Sequence, residues 1–200
     1  MEAMLAVPDR KTDRGRREYA LLLFLYNTGA RVSEATQLKV RDLNFGRGKG
    51  GYDLATLLGK GGKIRQCPLW LETARVLADE NRDRAADAPV FVSRLGMQFT
   101  RFGVYRLIER CAEQVPQLAG RTITPHVIRH TTACHLVLAG VDVNTIRAWL
   151  GHVSISTTNI YAEIDLTLKA NAVALCEVGR QRPRRSWKAD KDLMAFLKSL

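Results

Sequence analysis

Between residues 40 and 69 the sequence abandons a helical repeat for a strand-like one, and that interruption constrains the architecture more than any other feature. Three β-prone segments, VRDLNF, YDLATLL and IRQCPL, are separated by GRGKGG and GKGGK, whose glycines suit hairpin turns. The pattern predicts a three-stranded antiparallel sheet. On either side the apolar spacing is helical: residues 17–27, 71–86, 100–115, 125–138 and 143–150 all carry it. Gly29 can end the first of these helices and Ser33 can cap a short one after it, which puts Arg31 at a junction between two buried elements. Thr124 as N-cap and Pro125 in the first turn start the helix over 125–138, Gly140 ends it, and Gly151 stops the next. Helices embracing one small sheet make a mostly α-helical α+β fold.

The ends of the chain are more polar. The opening dozen residues are charged and read as a linker or arm. Past Gly151, helical segments are expected around 157–162, which would carry Tyr161, and over 166–177. A basic stretch, GRQRPRRSWK, then leads to a final segment with Leu193, Met194, Phe196, Leu197 and Leu200 at helical spacing. We therefore expect one domain over residues 1–178 and a basic linker with a helical tail over 179–200. The tail has two readings, as a helix for a partner groove or as a cover for its own domain.

A chain of 200 residues, 46% of them hydrophobic, suffices for one well-buried domain. Its 31 Lys and Arg against 20 Asp and Glu give a formal charge of +11, a surplus that favours a polyanion. Nucleic acid leads; an anionic membrane surface is the alternative. The longest apolar run, residues 19–26, is far short of the ~20 residues of a bilayer span, and charges precede it where a secretory signal would begin. We expect a cytoplasmic protein, associated with the nucleoid when bound to DNA. Cys67, Cys111, Cys134 and Cys176 are too scattered for a zinc ribbon or a disulfide framework and read as reduced packing residues. His126, His130 and Cys134 recur at four-residue steps, but no fourth ligand accompanies them and Arg129 would repel a divalent cation. No metal and no cofactor is expected.

Six residues carry the chemistry: Arg31, Lys60, His126, Arg129, His152 and Tyr161. A phosphodiester repels nucleophiles, and attack on it places more charge on the nonbridging oxygens, so fixed cations are needed. Arginine suits that task because its planar guanidinium stays charged and donates parallel hydrogen bonds to phosphate oxygens. Taken singly, Arg31 and Arg129 read as ordinary ion-pair formers, Arg31 with Glu34. His126 and Arg129, three apart on one helix, share a face, and histidine shuttles protons near neutral pH; His130 reads as a structural hydrogen-bonding residue. Lys60 and Lys63 lie in the GKGGK turn, either able to bring an ammonium group to a leaving oxygen. His152 follows Gly151 and could donate to a nonbridging oxygen. Tyr161 is a weak nucleophile until deprotonated, but a phosphotyrosine conserves the energy of the broken bond. No GxxxxGK[ST] loop is present to supply nucleotide energy. Tyr105 lacks any such frame and reads as core. Lys39, Arg41, Arg47, Lys49, Lys63 and Arg65 give the expected sheet a basic ribbon that could track a DNA backbone.

The local frames TGARVSEATQL, GKGGKIRQCPL, TPHVIRHTTA and LGHVSISTTNIYAE, in that order, resemble the catalytic domain of the tyrosine recombinases, the phage integrase family, over about residues 19–174. The resemblance implies that family's catalytic-domain fold, and strand cutting and rejoining in double-stranded DNA through a 3′-phosphotyrosine. It assigns the general-acid lysine to the GKG position, hence Lys60, and makes His126 the partner of Tyr161 in losing and regaining its proton. It also implies a homo-oligomer, a tetramer on paired DNA sites, whose protomers exchange C-terminal segments. The chain departs from the family in having nothing that corresponds to the usual N-terminal DNA-binding domain: it is either the catalytic portion of a longer protein or a minimal form. The implied activity is site-specific recombination: integration, excision or resolution. Relaxation of supercoils in the manner of a type IB topoisomerase, or regulation by a noncatalytic DNA-binding protein, are the alternatives.

Overall fold

The computed structural model describes residues 1–46 and 51–151. In chain order these form α1 (Glu2–Leu5), α2 (Asp13–Thr28), α3 (Val32–Gln37), β1 (Leu43–Asn44), β2 (Leu54–Leu58), β3 (Ile64–Pro68), α4 (Leu71–Asn81), α5 (Arg101–Glu113), α6 (Pro125–Leu138) and α7 (Val143–Leu150). They belong to one compact unit, Met1–Asp165; a second, Leu166–Leu200, lies wholly outside the described residues. So do the segments expected as helices over 157–162 and 166–177, the boundary at 178, the tail, and the turn residues Arg47 and Lys49.

The centre is α2. Every residue from 20 to 25 is buried, so the helix has no wet face along that stretch and packs against both α4 and α6. Phe24 meets Phe91 with ring centroids 5.1 Å apart, closing the core on the side of the α4–α5 connection. The sheet is antiparallel in the order β1-β2-β3, with Leu43 opposite Ala55 and Leu58 opposite Ile64. Its residues alternate: Ala55, Leu57 and Cys67 face the core, while Leu58 and Ile64 are exposed.

The helices expected over 100–115, 125–138 and 143–150 appear within two residues of those ranges. Thr100 Oγ1 accepts from Gly103 N (3.0 Å) and Thr124 Oγ1 from Val127 N (3.3 Å), while Asp142 Oδ1 accepts from Asn144 N (2.9 Å) at the start of α7. Elsewhere the structure corrects the sequence reading. The opening residues are no free arm: α1 buries Met4, and the turn before α2 folds so closely that a Cβ on Gly15 would lie 1.9 Å from the Asp9 carbonyl oxygen. Arg31, not Ser33, is the N-cap of α3. The VRDLNF segment is strand only at β1; residues 40–42 form a 3-10 turn, because the Val40 and Arg41 amides donate to the Ala88 and Ala86 carbonyls at 3.0 and 2.8 Å. Helix α4 ends at Asn81 instead of residue 86, because the chain then runs through turns, closed by Arg84 N on the Asn81 carbonyl (3.2 Å) and Ala88 N on the Ala85 carbonyl (2.9 Å), that present those carbonyls to residues 40 and 41. Tyr105, expected in the core, is 46% exposed, because the buried face of α5 runs through Val104, Leu107, Ile108 and Cys111.

Candidate active site

Two helices end against one another. Gly29 closes α2 in the left-handed conformation (φ 57°), and Gly151 does the same for α7 (φ 66°). The approach requires glycine at the first position, for a Cβ on Gly29 would lie 2.5 Å from Leu150 Cδ2. Carbonyls at a helix C-terminus have no partner within their helix and must find donors when buried. Here arginines supply them, each from a different element. Arg65 of β3 donates from Nε to the Trp149 carbonyl (2.9 Å), and Arg129 of α6 from Nη2 to the Leu150 carbonyl (2.6 Å). Arg31 donates from Nη2 to the Gly151 carbonyl (3.4 Å). Three consecutive carbonyls thus engage three arginines. Arg129 also donates from Nη1 to the Gly29 carbonyl, tying the end of α2 to the end of α7, and the Trp149 indole donates to the Asn27 carbonyl (3.2 Å). The cations lie at the negative ends of two helix dipoles, where positive charge is favoured.

Glu34 orders two of these arginines. It is 1% exposed; its Oε2 accepts from the Arg31 amide (2.7 Å) and from Arg65 Nη2 (2.8 Å), and its Oε1 from Arg31 Nη1 (2.9 Å). Burial alone would push the Glu34 carboxyl up. The hydrogen bond from Arg65 and the Arg31 amide outweigh burial, aided by the charge of Arg65 and the Arg31 guanidinium, and hold the carboxyl below its ordinary range. Burial acts to lower the pKa of Arg65, but Glu34 reverses that and holds it above the usual value. Three guanidiniums thus gather around Glu34 and the end of α7, and planar donors of that kind are what an anionic group such as a phosphodiester requires.

Of the residues singled out in the sequence, Arg31 and Arg129 are brought together at the end of α7. Arg31 has a side chain 39% exposed, whereas Arg129 is 4% exposed. His126 is exposed in the first turn of the same helix as Arg129. The backbone of Lys60 opens the β2–β3 turn, which Gly59 N closes by donating to the Lys63 carbonyl (2.7 Å); Lys63 is exposed. Lys39 and Arg41 converge on Asp87, at 3.2 and 2.5 Å. Both precede β1 instead of lying on the sheet. Arg65 departs most from the expected ribbon, for its side chain is 10% exposed and its guanidinium is spent on Glu34 and α7. His152 and Tyr161 lie outside the described residues, as do Arg47 and Lys49. His130 Nε2 lies 3.6 Å from Cys134 Sγ, and among the described residues no three or more His, Cys, Asp or Glu side chains gather to hold a metal ion. No helix among them is long and apolar enough to cross a membrane.

Asn27 is the residue sequence reasoning missed. It is 1% exposed, its Oδ1 accepts from the Trp70 amide (2.8 Å) and its Nδ2 donates to the Pro68 carbonyl (3.3 Å). A lone amide at the end of a run as apolar as LLLFLYN was the available signal, since a buried polar group must be bonded.

Comparison with known proteins agrees with this geometry. The model of the phage integrase family matches residues 1–167. The chain is 38% identical over 206 residues to the protein y4rC of Sinorhizobium fredii, covering 100% of this chain and 60% of that one. It is 35% identical over 167 residues to the tyrosine recombinase XerC of Pelobacter propionicus, covering 82% of this chain and 53% of that one. The chain thus spans little more than half the length of these relatives. The structure of the XerH site-specific recombinase bound to its difH substrate, a pre-cleavage complex, shares the fold with a TM-score of 0.70 at 24% identity, over 88% of this chain and 52% of that one.

Proposed function

The chain belongs to the phage integrase family, and on that premise we propose that it is a site-specific DNA recombinase that cuts and rejoins strands through a 3′-phosphotyrosine at Tyr161. The observation that carries the proposal is the meeting of Arg31 and Arg129, far apart in the sequence, on consecutive carbonyls at the end of α7, one residue before His152. Charge supports it too: a surplus of +11 suits a polyanion. XerH, of the same fold, is held with its difH substrate before cleavage.

In this mechanism Arg31 and Arg129 bind the nonbridging oxygens and stabilise the charge that grows on them. Tyr161 Oη attacks the phosphorus while His126 takes its proton, and the 3′ phosphate becomes a tyrosyl ester as the bond to the 5′ oxygen breaks. Lys60 delivers a proton to that departing oxygen, and His152 donates to a nonbridging oxygen. Rejoining is the reverse, with the freed 5′ hydroxyl of a partner strand as nucleophile. Because the ester conserves the energy of the broken bond, neither nucleotide nor metal enters the scheme. Residues 1–178 form the catalytic domain in this proposal. Residues 179–200 link protomers of a tetramer on paired double-stranded sites in the cytoplasm, and Lys39, Arg41, Arg47, Lys49 and Lys63 add contacts to the DNA backbone.

The test uses a pool of nicked duplexes of random sequence, in which a cleaved strand loses the short downstream fragment that carries the freed 5′ hydroxyl and cannot rejoin. Incubation with the chain in EDTA should leave protein attached to 3′ ends on a denaturing gel, and sequencing the attached strands would give the site. Attachment to 5′ ends, or none at all, would refute the proposal.

A further inference from the structure

We propose that Arg65 is a positioning residue for strand cleavage: its one guanidinium holds both the Trp149 carbonyl and Glu34, and so fixes the end of α7 against the residues that grip the phosphate. The proposal rests on the recombinase function above. A guanidinium donates in fixed directions within one plane. In Arg65, Nε points to the Trp149 carbonyl (2.9 Å) and Nη2 to Glu34 Oε2 (2.8 Å). Glu34 is the carboxylate that also grips Arg31, through its amide and its guanidinium. Arg65 therefore ties the pose of Arg31 to the end of the helix whose next carbonyl Arg129 holds.

Two further contacts tighten the arrangement. A Cβ on Gly151 would lie 3.2 Å from Arg65 Cδ, so the arginine stem runs under the residue that precedes His152. A Cβ on Gly59 would lie 3.4 Å from Glu34 Oε1, so the β2–β3 turn, in which Lys60 sits, rests on the same carboxylate. The segments carrying Arg31 and Lys60 thus meet the end of α7, which Arg129 also holds, at a single ion pair whose cation is 10% exposed. A side chain so enclosed is a poor candidate for a DNA backbone contact, and its effect on the reaction must pass through the groups it holds.

The experiment compares the full chain with Arg65→Lys, which keeps charge and stem but loses the planar fork, and with Arg65→Gln. Single-turnover attachment at saturating nicked duplex gives a rate constant and an end point; binding at several salt concentrations gives a slope; hydrogen exchange follows the amides of α7. We expect a rate constant lower by about 10²-fold, the cost of a small misplacement of reacting groups. The end point and salt slope should stay unchanged, and the last turn of α7 should exchange at least ~10-fold faster while α6 does not, since α7, unlike α6, loses the donor that Arg65 supplies to its Trp149 carbonyl. A salt slope reduced by about one with the rate unaltered would make Arg65 a phosphate contact and overturn the proposal. A lower end point with an unaltered rate would reduce it to a fold-stabilising residue and also overturn it. Absence of attachment by the unsubstituted chain would count against the function itself; unchanged exchange in α7 would then still refute the clamp.

Discussion

Substituting Gly29 by alanine tests whether the ends of α2 and α7 meet as closely as described. Two costs are separable. The left-handed backbone at φ 57° costs an alanine roughly 1–2 kcal/mol. The added Cβ would also lie 2.5 Å from Cδ2 of Leu150, which is fully buried, and overpacking of that kind costs typically 1–3 kcal/mol. Together they predict a loss of roughly 2–5 kcal/mol. Gly140 provides the control: its φ is 80°, and a Cβ there meets nothing within 4 Å, so Gly140→Ala should cost the backbone part alone, roughly 1–2 kcal/mol. Urea unfolding at pH 7, extrapolated linearly and with equal slopes, measures both. Gly29→Ala should be the less stable by roughly 1–3 kcal/mol. A difference below about 0.5 kcal/mol, the usual scatter of surface substitutions, would refute the close approach.

Other outcomes follow from the same geometry. Arg31→Ala and Arg129→Ala should each slow attachment by ~10²–10³-fold; only Arg129→Ala should also lower the melting temperature markedly, because Arg129 is 4% exposed and bonded to two helix ends whereas Arg31 is partly open. Lys60→Ala should recover its rate on a substrate whose 5′-bridging oxygen is replaced by sulfur, which leaves without a proton; rescue of Lys63→Ala instead would move the general acid to Lys63. Since the folded Glu34 carboxyl titrates below its ordinary value of about 4.3, its stabilisation is complete above that pH and disappears as pH falls through the lowered value. Urea midpoints of the unsubstituted chain and Glu34→Gln should therefore converge on acidification below about pH 4, and a gap constant from pH 7 to pH 3 would contradict the ion-pair assignment.

The legible parts of this chain are those whose cause is local. Thr124 with Pro125, Gly29 and Gly151 bound their helices correctly because a cap or a terminating glycine acts within a few residues. The strand expected at residue 40 failed for the opposite reason, since the partners of that backbone lie near residue 88 and no local pattern announces them. The site divides likewise. Arg31 and Arg129 stood out by their neighbours in sequence. Arg65 read as one basic residue among several on a ribbon, because what turns it inward is Glu34, 31 residues away, and the Trp149 carbonyl, 84 residues away. An acceptor formed by a helix end exists only once that end has been placed.

The nucleophile is the central claim, and the identity of the residue joined to DNA tests it most directly. Protein attached to a nicked duplex should be digested with protease and nuclease and the modified peptide sequenced by mass spectrometry, with Tyr161→Phe treated in parallel. The account predicts a nucleotide joined through its 3′ phosphate to Tyr161 Oη, and a phenylalanine variant that binds the duplex as the unsubstituted chain does yet forms no attachment. Modification of any other residue, or attachment by Tyr161→Phe at the unsubstituted rate, would contradict it.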